Sequence, residues 1–411
     1  MSIERDAHEH AAEPEVRQQQ QQQQQPDQVK PSEPSLQPSP AVPQQQLALS
    51  APTDDSVAVA AFLSAIRAKL TEPVPNWFTD LSKAMTHPPA YPSKEQRLAT
   101  KQKFPSRRLD PLLISQPTSC PQKKDRDYEK EPILMIMPTG TGGIESMPCA
   151  VKCTYTSDSS MWSKADAWVD SIPYSHPAPG KVCPLQKRVM FSMEAESYYG
   201  ALKMEADGKP TSGAIDVMGN TQLTSDVPLI YGNTVEYNYN EKVQEKTQAA
   251  LAVMLISNCG GFNNRLQVAK GLMDNGVTVD SFGSCLNNKA KPAQGSGWFN
   301  SKVDIIRSYK FLLTFENSNV RDYVTEKFNH ALVAGTVPVY LGADTIRDFQ
   351  PSAHSVINVQ DFRDTATLAE YLKWLGQNDD IYNMYLDWKE KGVSDNFKWM
   401  MSISAVHSNC R

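Results

Sequence analysis

The stretch from Tyr309 to Gly342, YKFLLTFENSNVRDYVTEKFNHALVAGTVPVYLG, constrains the fold more than any other part of this chain. FLLTF is a short apolar run bounded by polar residues, the pattern of a buried strand. ENSNVRDYVTEK then supplies carboxylates, amides, an arginine and a lysine, which suit a loop and the start of a helix. FNHALVAG continues that helix to Gly335, a natural C-terminal stop. VPVYLG is the next strand. Strand, helix and strand at this spacing form a βαβ unit of a parallel sheet. In an open parallel sheet ligands bind outside the carboxyl ends of the strands, where this polar loop must sit.

The chemistry of the loop suits a nucleoside diphosphate. Lys327, near a helix N-terminus, places a cation beside backbone N–H groups that already attract phosphate. Glu326 or Glu316 can accept the paired hydroxyls of a ribose. Taken alone, the Glu326-Lys327 dipeptide reads more simply as a capped helix start with a surface charge pair. The whole run is harder to dismiss, because FENS, DYVTEK, a small-residue helix and GxVPVxxG follow one another without a gap. It closely resembles the donor-binding signature of the α1,3/4-fucosyltransferases, glycosyltransferase family 10, which use GDP-fucose. That resemblance implies donor binding by Glu316, Asn317, Tyr323, Glu326 and Lys327.

The likeness extends upstream. LAVMLISNCGGFNNRLQVAKGLMDNGVTVDSFGSC (Leu251–Cys285) reads as strand, polar loop, helix, turn at Asn275-Gly276 and strand. In the family resembled this is the first βαβ unit of the donor domain, and its loop arginine contacts the donor phosphates. Arg265 holds that place, and a bidentate guanidinium is what a pyrophosphate leaving group calls for. Downstream, His354–Lys389 is similar to the family's closing strand and helices; Leu368, Tyr371, Leu372 and Leu375 fall at helical spacing and read as architecture.

Before residue 240 the motifs are weaker. EPILMIMPTGTGG (Glu131–Gly143) reads as an apolar strand running into a Pro-Gly turn, and ADAWVD (Ala165–Asp170) as a second short strand. RVMFSMEAESYYG (Arg188–Gly200) carries an SME triplet where the family has a strand-end glutamate that faces the donor and serves as catalytic base. Glu194 matches that position. Glu196, two residues on, would share its face on a strand, so both stay open as the base. SDVPLIYG (Ser225–Gly232) resembles the strand that closes this domain. In between, IDVMGNTQLT replaces the family's FNxTxSYR-like segment and lacks its aromatic and arginine, which bears on acceptor contacts more than on donor contacts.

Fucosyl transfer with inversion explains the need for a base. The transition state is oxocarbenium-like, one face holds the departing GDP, and the acceptor oxygen attacks the other. A carboxylate within reach of that hydroxyl takes its proton as the bond forms. Lys327 and Arg265 would offset the charge growing on the departing phosphate.

Composition bounds the rest. Residues 1 to about 50, with the Gln18–Gln25 tract and many prolines, cannot build a packed core. Ser56–Leu70 has helical character, yet its longest apolar run falls far short of the ~20 residues that span a bilayer. Lys94–Arg108 is basic, but a net charge of −5 argues against a nucleic-acid partner. The seven cysteines make no zinc-ribbon pattern, and Cys149 and Cys153 lack a matching pair. Cys259 and Cys285 end neighbouring strands of one βαβ unit and are placed to bridge in an oxidising compartment, and the odd count leaves at least one thiol free in a monomer. The lone Asp-x-Asp triplet, Asp125-Arg126-Asp127, lies in a Lys- and Pro-rich linker, unlike the strand-end loops of Mn²⁺-dependent transferases.

The resemblance therefore implies an α/β protein of GT-B architecture, two Rossmann-like domains facing across a cleft. The expected arrangement is a disordered stem and linker over 1–110, an acceptor-side domain over 125–240, a GDP-fucose-binding domain over 245–392, and a C-terminal helix or tail over 393–411. The expected activity is inverting α1,3-fucosyl transfer to a GlcNAc hydroxyl. SNCG…RLQ…DSFGSC and AVHSNCR look most like plant-type enzymes acting on the innermost GlcNAc of N-glycans. The alternatives are a Lewis-type enzyme acting on LacNAc and a catalytically silent glycan- or nucleotide-binding member. No cofactor or metal is expected to be required, with Mn²⁺ or Mg²⁺ stimulation left open. The partners are GDP-fucose and a glycan on glycoprotein. The family resembled places its members in the Golgi lumen behind a membrane anchor. No stretch here qualifies as an anchor or signal peptide, which leaves a missing first exon, a non-Golgi enzyme and a partner-set location as explanations.

Overall fold

Residues 55–87, 126–138, 151–172, 179–183, 185–199, 215–290 and 298–403 are described in a computed structural model. Their strands form two all-parallel sheets. The first comprises β1 (Ile133–Ile136), β2 (Cys153–Thr156), β3 (Ala167–Ser171), β4 (Lys187–Phe191), β5 (Val217–Asn220) and β6 (Val227–Pro228), in the order β2-β1-β3-β4-β5-β6. The second comprises β7 (Ala252–Met254), β8 (Val279–Ser281), β9 (Phe311–Phe315), β10 (Val337–Leu341) and β11 (Ile357–Asn358), in the order β11-β10-β9-β7-β8. The helices used below are α1 (Asp55–Arg67), α2 (Asn76–Thr86), α3 (Arg265–Asp274), α4 (Trp298–Ile306), α5 (Glu326–Ala334), α6 (Thr365–Gly376), α7 (Asp379–Met384), α8 (Trp388–Lys391) and α9 (Asp395–Ser402). Two parallel α/β sheets are the architecture the sequence led us to expect.

The second sheet is the better buried. Every residue of β7, β9 and β10 is buried, and Val337–Leu341 pairs in register with Phe311–Phe315. Continuous apolar runs of this kind belong to strands covered on both faces. Helix α5 connects β9 to β10 and stops at Gly335, whose φ of 60° gives the left-handed turn that returns its N–H to Ala331 and Leu332. Lys246, in the linker between the sheets, donates to the carbonyls of Gly335 (2.7 Å) and Arg307 (2.8 Å). The carboxyl end of α5 is thereby tied to the linker.

Three expectations need correction. The stretch 1–110 is not a featureless stem, because 55–87 folds into α1 and α2. Phe62 and Ile66 of α1 and Trp77 and Leu81 of α2 are buried in the core of the second sheet with Tyr371, Leu372 and Leu375 of α6. The helical character of Ser56–Leu70 was readable in the chain, whereas α2 was missed; the neighbouring Gln- and Pro-rich composition concealed that either helix has a partner. Residues 1–54 and 88–125 lie outside the described residues. Next, ADAWVD supplies the third strand rather than the second, because half-exposed Cys153–Thr156 forms an edge strand that its composition hid. Finally, only Val227 and Pro228 of SDVPLIYG are strand.

Trp77 is 3% exposed, with ring centroids 4.9 Å from Tyr371 and 4.8 Å from Trp374. Trp77→Ala is expected to lower unfolding free energy by about 3–5 kcal/mol, the usual cost of emptying a large aromatic site. Denaturant unfolding would read this directly; a change under about 0.5 kcal/mol, the range of ordinary surface substitutions, would mean that α2 does not belong to the core.

Helix α9 lies over both halves. Its Phe397, Met400 and Met401 share one apolar cluster with Leu223 and Ile230 of the first half and with Phe328 of α5. Among the described residues no helix is long and apolar enough to cross a membrane.

Candidate active site

The loop after β9 folds around a buried carboxylate. Glu316 is fully enclosed, and its oxygens accept from the Thr325 N–H (2.8 Å), the Thr325 hydroxyl (2.8 Å) and Lys327 Nζ (3.2 Å). Thr325 caps α5. Lys327 also donates to Thr325 Oγ1 (2.9 Å) and Glu326 Oε1 (3.2 Å). Burial pushes the Glu316 carboxyl above its ordinary range while Lys327 pulls it back. Burial works against the charge on Lys327, but Glu316 and Glu326 outweigh it and hold its pKa above the ordinary lysine value. Burial likewise opposes the charge on Glu326, and Lys327 more than compensates, so its carboxyl sits low. One ammonium thus holds two carboxylates at a helix N-terminus, where the backbone N–H groups and the helix dipole are what attract an anion.

Across from this loop lies the segment that follows β4. Glu194 is half-buried, and its N–H donates to Ser192 Oγ (3.1 Å). Tyr231 donates its hydroxyl to the carbonyl of Met193 (2.8 Å), fixing the backbone just before Glu194. Burial raises the Glu194 pKa, Lys327 draws it down and Glu326 pushes it up. Glu194 therefore lies within electrostatic reach of the α5 pair, although the two are carried by different sheets. Glu196 does not share a strand face with it. The strand ends at Phe191, and Glu196 opens a short 3₁₀ turn, Glu196–Tyr198, where its carboxylate accepts from Gln222 Nε2 (2.6 Å).

That 3₁₀ turn forms the seam between the halves. Ser197 and Ser318 share a hydroxyl–hydroxyl bond of 2.6 Å, and Tyr198 meets Phe262 edge-on with centroids 4.6 Å apart. Asp322, buried at φ 60°, accepts from Leu223 N–H (3.0 Å) and from the Thr345 hydroxyl (2.8 Å). A non-glycine residue at positive φ is strained, and here it aims one carboxylate at both halves of the molecule.

Arg265 is the first residue of α3 rather than a loop residue, and it is 3% exposed. Its guanidinium donates to the carbonyls of Asn258 and Gly260 (3.1 Å). Its Nε is buried and has no hydrogen-bond partner among the described residues. Burial lowers its pKa from the usual arginine value. Asn317 receives Phe262 N–H on its carbonyl (2.8 Å). Tyr323 is buried, its ring 6.4 Å from that of Tyr231.

The expected site residues thus gather at one seam. Glu194 lies within electrostatic reach of Glu326 and Lys327, Asn317 and Tyr323 belong to the loop after β9, and Arg265 lies against the start of that loop. Glu316 takes an internal position, where it orders Thr325 and Lys327 and is closed to a ribose. Sequence reasoning missed Tyr231, Asp322 and Tyr198. Tyr231 and Tyr198 lie inside motifs already singled out, but their partners are distant in the chain. The Cys259–Cys285 bridge is present, with 5.4 Å between Cα atoms, and Cys153 is a free thiol.

The chain has relatives among known proteins. The C-terminal model of glycosyltransferase family 10 (fucosyltransferase) matches residues 243–411. A putative fucosyltransferase-like protein of Arabidopsis thaliana is 36% identical over 287 residues, covering 70% of this chain and 51% of that protein. An alpha-(1,4)-fucosyltransferase of the same plant is 30% identical over 291 residues, covering 67% of this chain and 68% of that one. Human GDP-fucose protein O-fucosyltransferase 3 is 37% identical over 187 residues, 44% of this chain and 39% of that protein. The chain spans about half the length of the first of these relatives. A crystal structure of an alpha1,3-fucosyltransferase with GDP-fucose superposes at a TM-score of 0.43 and 19% identity, over 61% of this chain and 79% of that one.

Proposed function

The chain belongs to the fucosyltransferases of glycosyltransferase family 10, and from that premise we propose that it moves L-fucose from GDP-fucose, with inversion, to a GlcNAc hydroxyl, the innermost GlcNAc of N-glycans being the acceptor. The observation that carries this reading is the half-buried Glu194, held beside the Ser197–Ser318 seam within electrostatic reach of the Glu326–Lys327 pair. A base and a diphosphate-binding helix end on opposite sides of a seam are what inverting transfer requires.

In this mechanism Lys327 and the N–H groups of α5 take the donor diphosphate, and Arg265 adds its Nε. Glu326, the more open of the two carboxylates, takes sugar hydroxyls, and Glu316 holds the lysine in place. Glu194 accepts the proton of the attacking hydroxyl as the glycosidic bond forms and the bond to the β-phosphate oxygen breaks. Glu196 is held by Gln222 and serves as an acceptor-side structural carboxylate. Charge on the departing GDP is met by fixed cations, so no resident metal is needed. A Golgi-lumen location suits the Cys259–Cys285 bridge, which persists in oxidising compartments.

The acceptor is tested with labelled GDP-fucose and three acceptors: a biantennary N-glycopeptide with its core GlcNAc, free LacNAc, and a serine- and threonine-bearing peptide, each with and without EDTA. Product on the core GlcNAc, unaffected by EDTA, is the expected result. Product on LacNAc alone would favour the Lewis-type reading, for which the 30% identity to an alpha-(1,4)-fucosyltransferase speaks. No product on any acceptor, with GDP still bound, would mark a silent member.

A further inference from the structure

Three polar atoms at the seam are buried without a hydrogen-bond partner among the described residues: Tyr198 Oη, Arg265 Nε and Asn317 Oδ1. They belong to three segments that converge. Tyr198 sits on the 3₁₀ turn of the first half, its ring edge-on to Phe262, and it lies within electrostatic reach of the Arg265 guanidinium. Phe262 in turn donates its N–H to the carbonyl of Asn317. Gly261 completes the cradle, since a Cβ there would come 3.0 Å from the Asn317 carbonyl oxygen and 3.5 Å from Arg265 Nε.

Buried polar atoms are ordinarily paired, and an unpaired one costs about 1–3 kcal/mol. Asn317 Oδ1 is an acceptor and calls for a donor of its own, whereas the other two call for one ligand group that satisfies both. Tyr198 Oη and Arg265 Nε are both donors, so the missing group is an acceptor, and beside a guanidinium an anionic oxygen fits best. We propose that Tyr198 is a donor-binding residue contributed by the acceptor-side sheet, its hydroxyl and Arg265 Nε together holding an oxygen of the β-phosphate. This rests on the reading of GDP-fucose as donor, and it makes the diphosphate itself a link between the two sheets. Tyr198 touches the leaving group only; the proton transfer stays with Glu194.

The test is calorimetric binding of GDP and GMP to the full chain and to Tyr198→Phe, which keeps the ring against Phe262 and removes only the hydroxyl. The expected result is a Kd for GDP raised about tenfold, the loss of one hydrogen bond to a charged group, with GMP changed less than about twofold. Equal weakening of both nucleotides would make Tyr198 a structural seam residue and overturn the proposal, as would unchanged binding of both. A wild-type chain that binds neither nucleotide would overturn the donor assignment and this proposal with it. Should Tyr198→Phe fail to fold, 3-fluorotyrosine at position 198 keeps the shape and strengthens the donor. It is then expected to tighten GDP and leave GMP unchanged, and indifference to the fluorine would overturn the proposal.

Discussion

Glu194→Gln is expected to slow fucosyl transfer by about 10²–10⁴-fold, the usual contribution of general-base assistance. Binding of GDP should stay nearly as tight, because the amide keeps the shape of the side chain and no diphosphate contact is lost. The wild-type pH profile should report the same group. A base works deprotonated, so transfer falls as pH drops through its pKa, and burial sets that fall above the ordinary carboxylate range. In Glu194→Gln that acid limb should disappear. Full activity in Glu194→Gln would end the assignment and return attention to Glu196, whose bond to Gln222 Glu196→Gln would disturb less.

Lys327→Ala should act earlier in the cycle, at donor binding. Removing a charge-assisted contact to the diphosphate costs roughly 1.5–3 kcal/mol, about 10- to 150-fold in affinity, before any effect on the loop. The loop effect is large as well. Glu316 is fully enclosed, and Lys327 is the cation bonded to it among the described residues. A buried charge stripped of its partner costs about 3–5 kcal/mol. Glu316 can limit that loss by taking up a proton, a direction in which burial already pushes it. Isothermal titration with GDP and a thermal melt, run on Lys327→Ala, separate the two effects. GDP affinity within a few-fold of wild type would remove Lys327 from the donor site.

Lys327 and Glu194 differed in how plainly the chain announced them. Lys327 could be placed from local pattern alone: an apolar run, a threonine cap, a small-residue helix and a left-handed Gly335 lie in unbroken order, and each acts on near neighbours. Glu194 could be placed only by likeness, since nothing near it in sequence says that it faces α5. What stayed hidden is uniformly long-range. Gln222 reaches Glu196 across 26 positions, Asp322 reaches Leu223 across 99, and Ser318 reaches Ser197 across 121. The helices α1 and α2 were hidden for a different reason. The helical character of α1 was visible, but α1 packs against α7 and α2 against α6, both far later in the chain.

The bonds of Asp322 have a practical meaning for engineering. Family members with different acceptors invite chimaeras, in which one half is exchanged at the linker near Lys246 to redirect specificity. The linker is a convenient splice point for the chain, but it is the wrong frontier for the contacts. Such a graft would separate Asp322 from Leu223 and Ser318 from Ser197, and would leave the strained backbone at 322 without half of what holds it. Specificity in this molecule is not a cassette. The transplantable unit is a first half that brings its own version of the loop from 316 to 323.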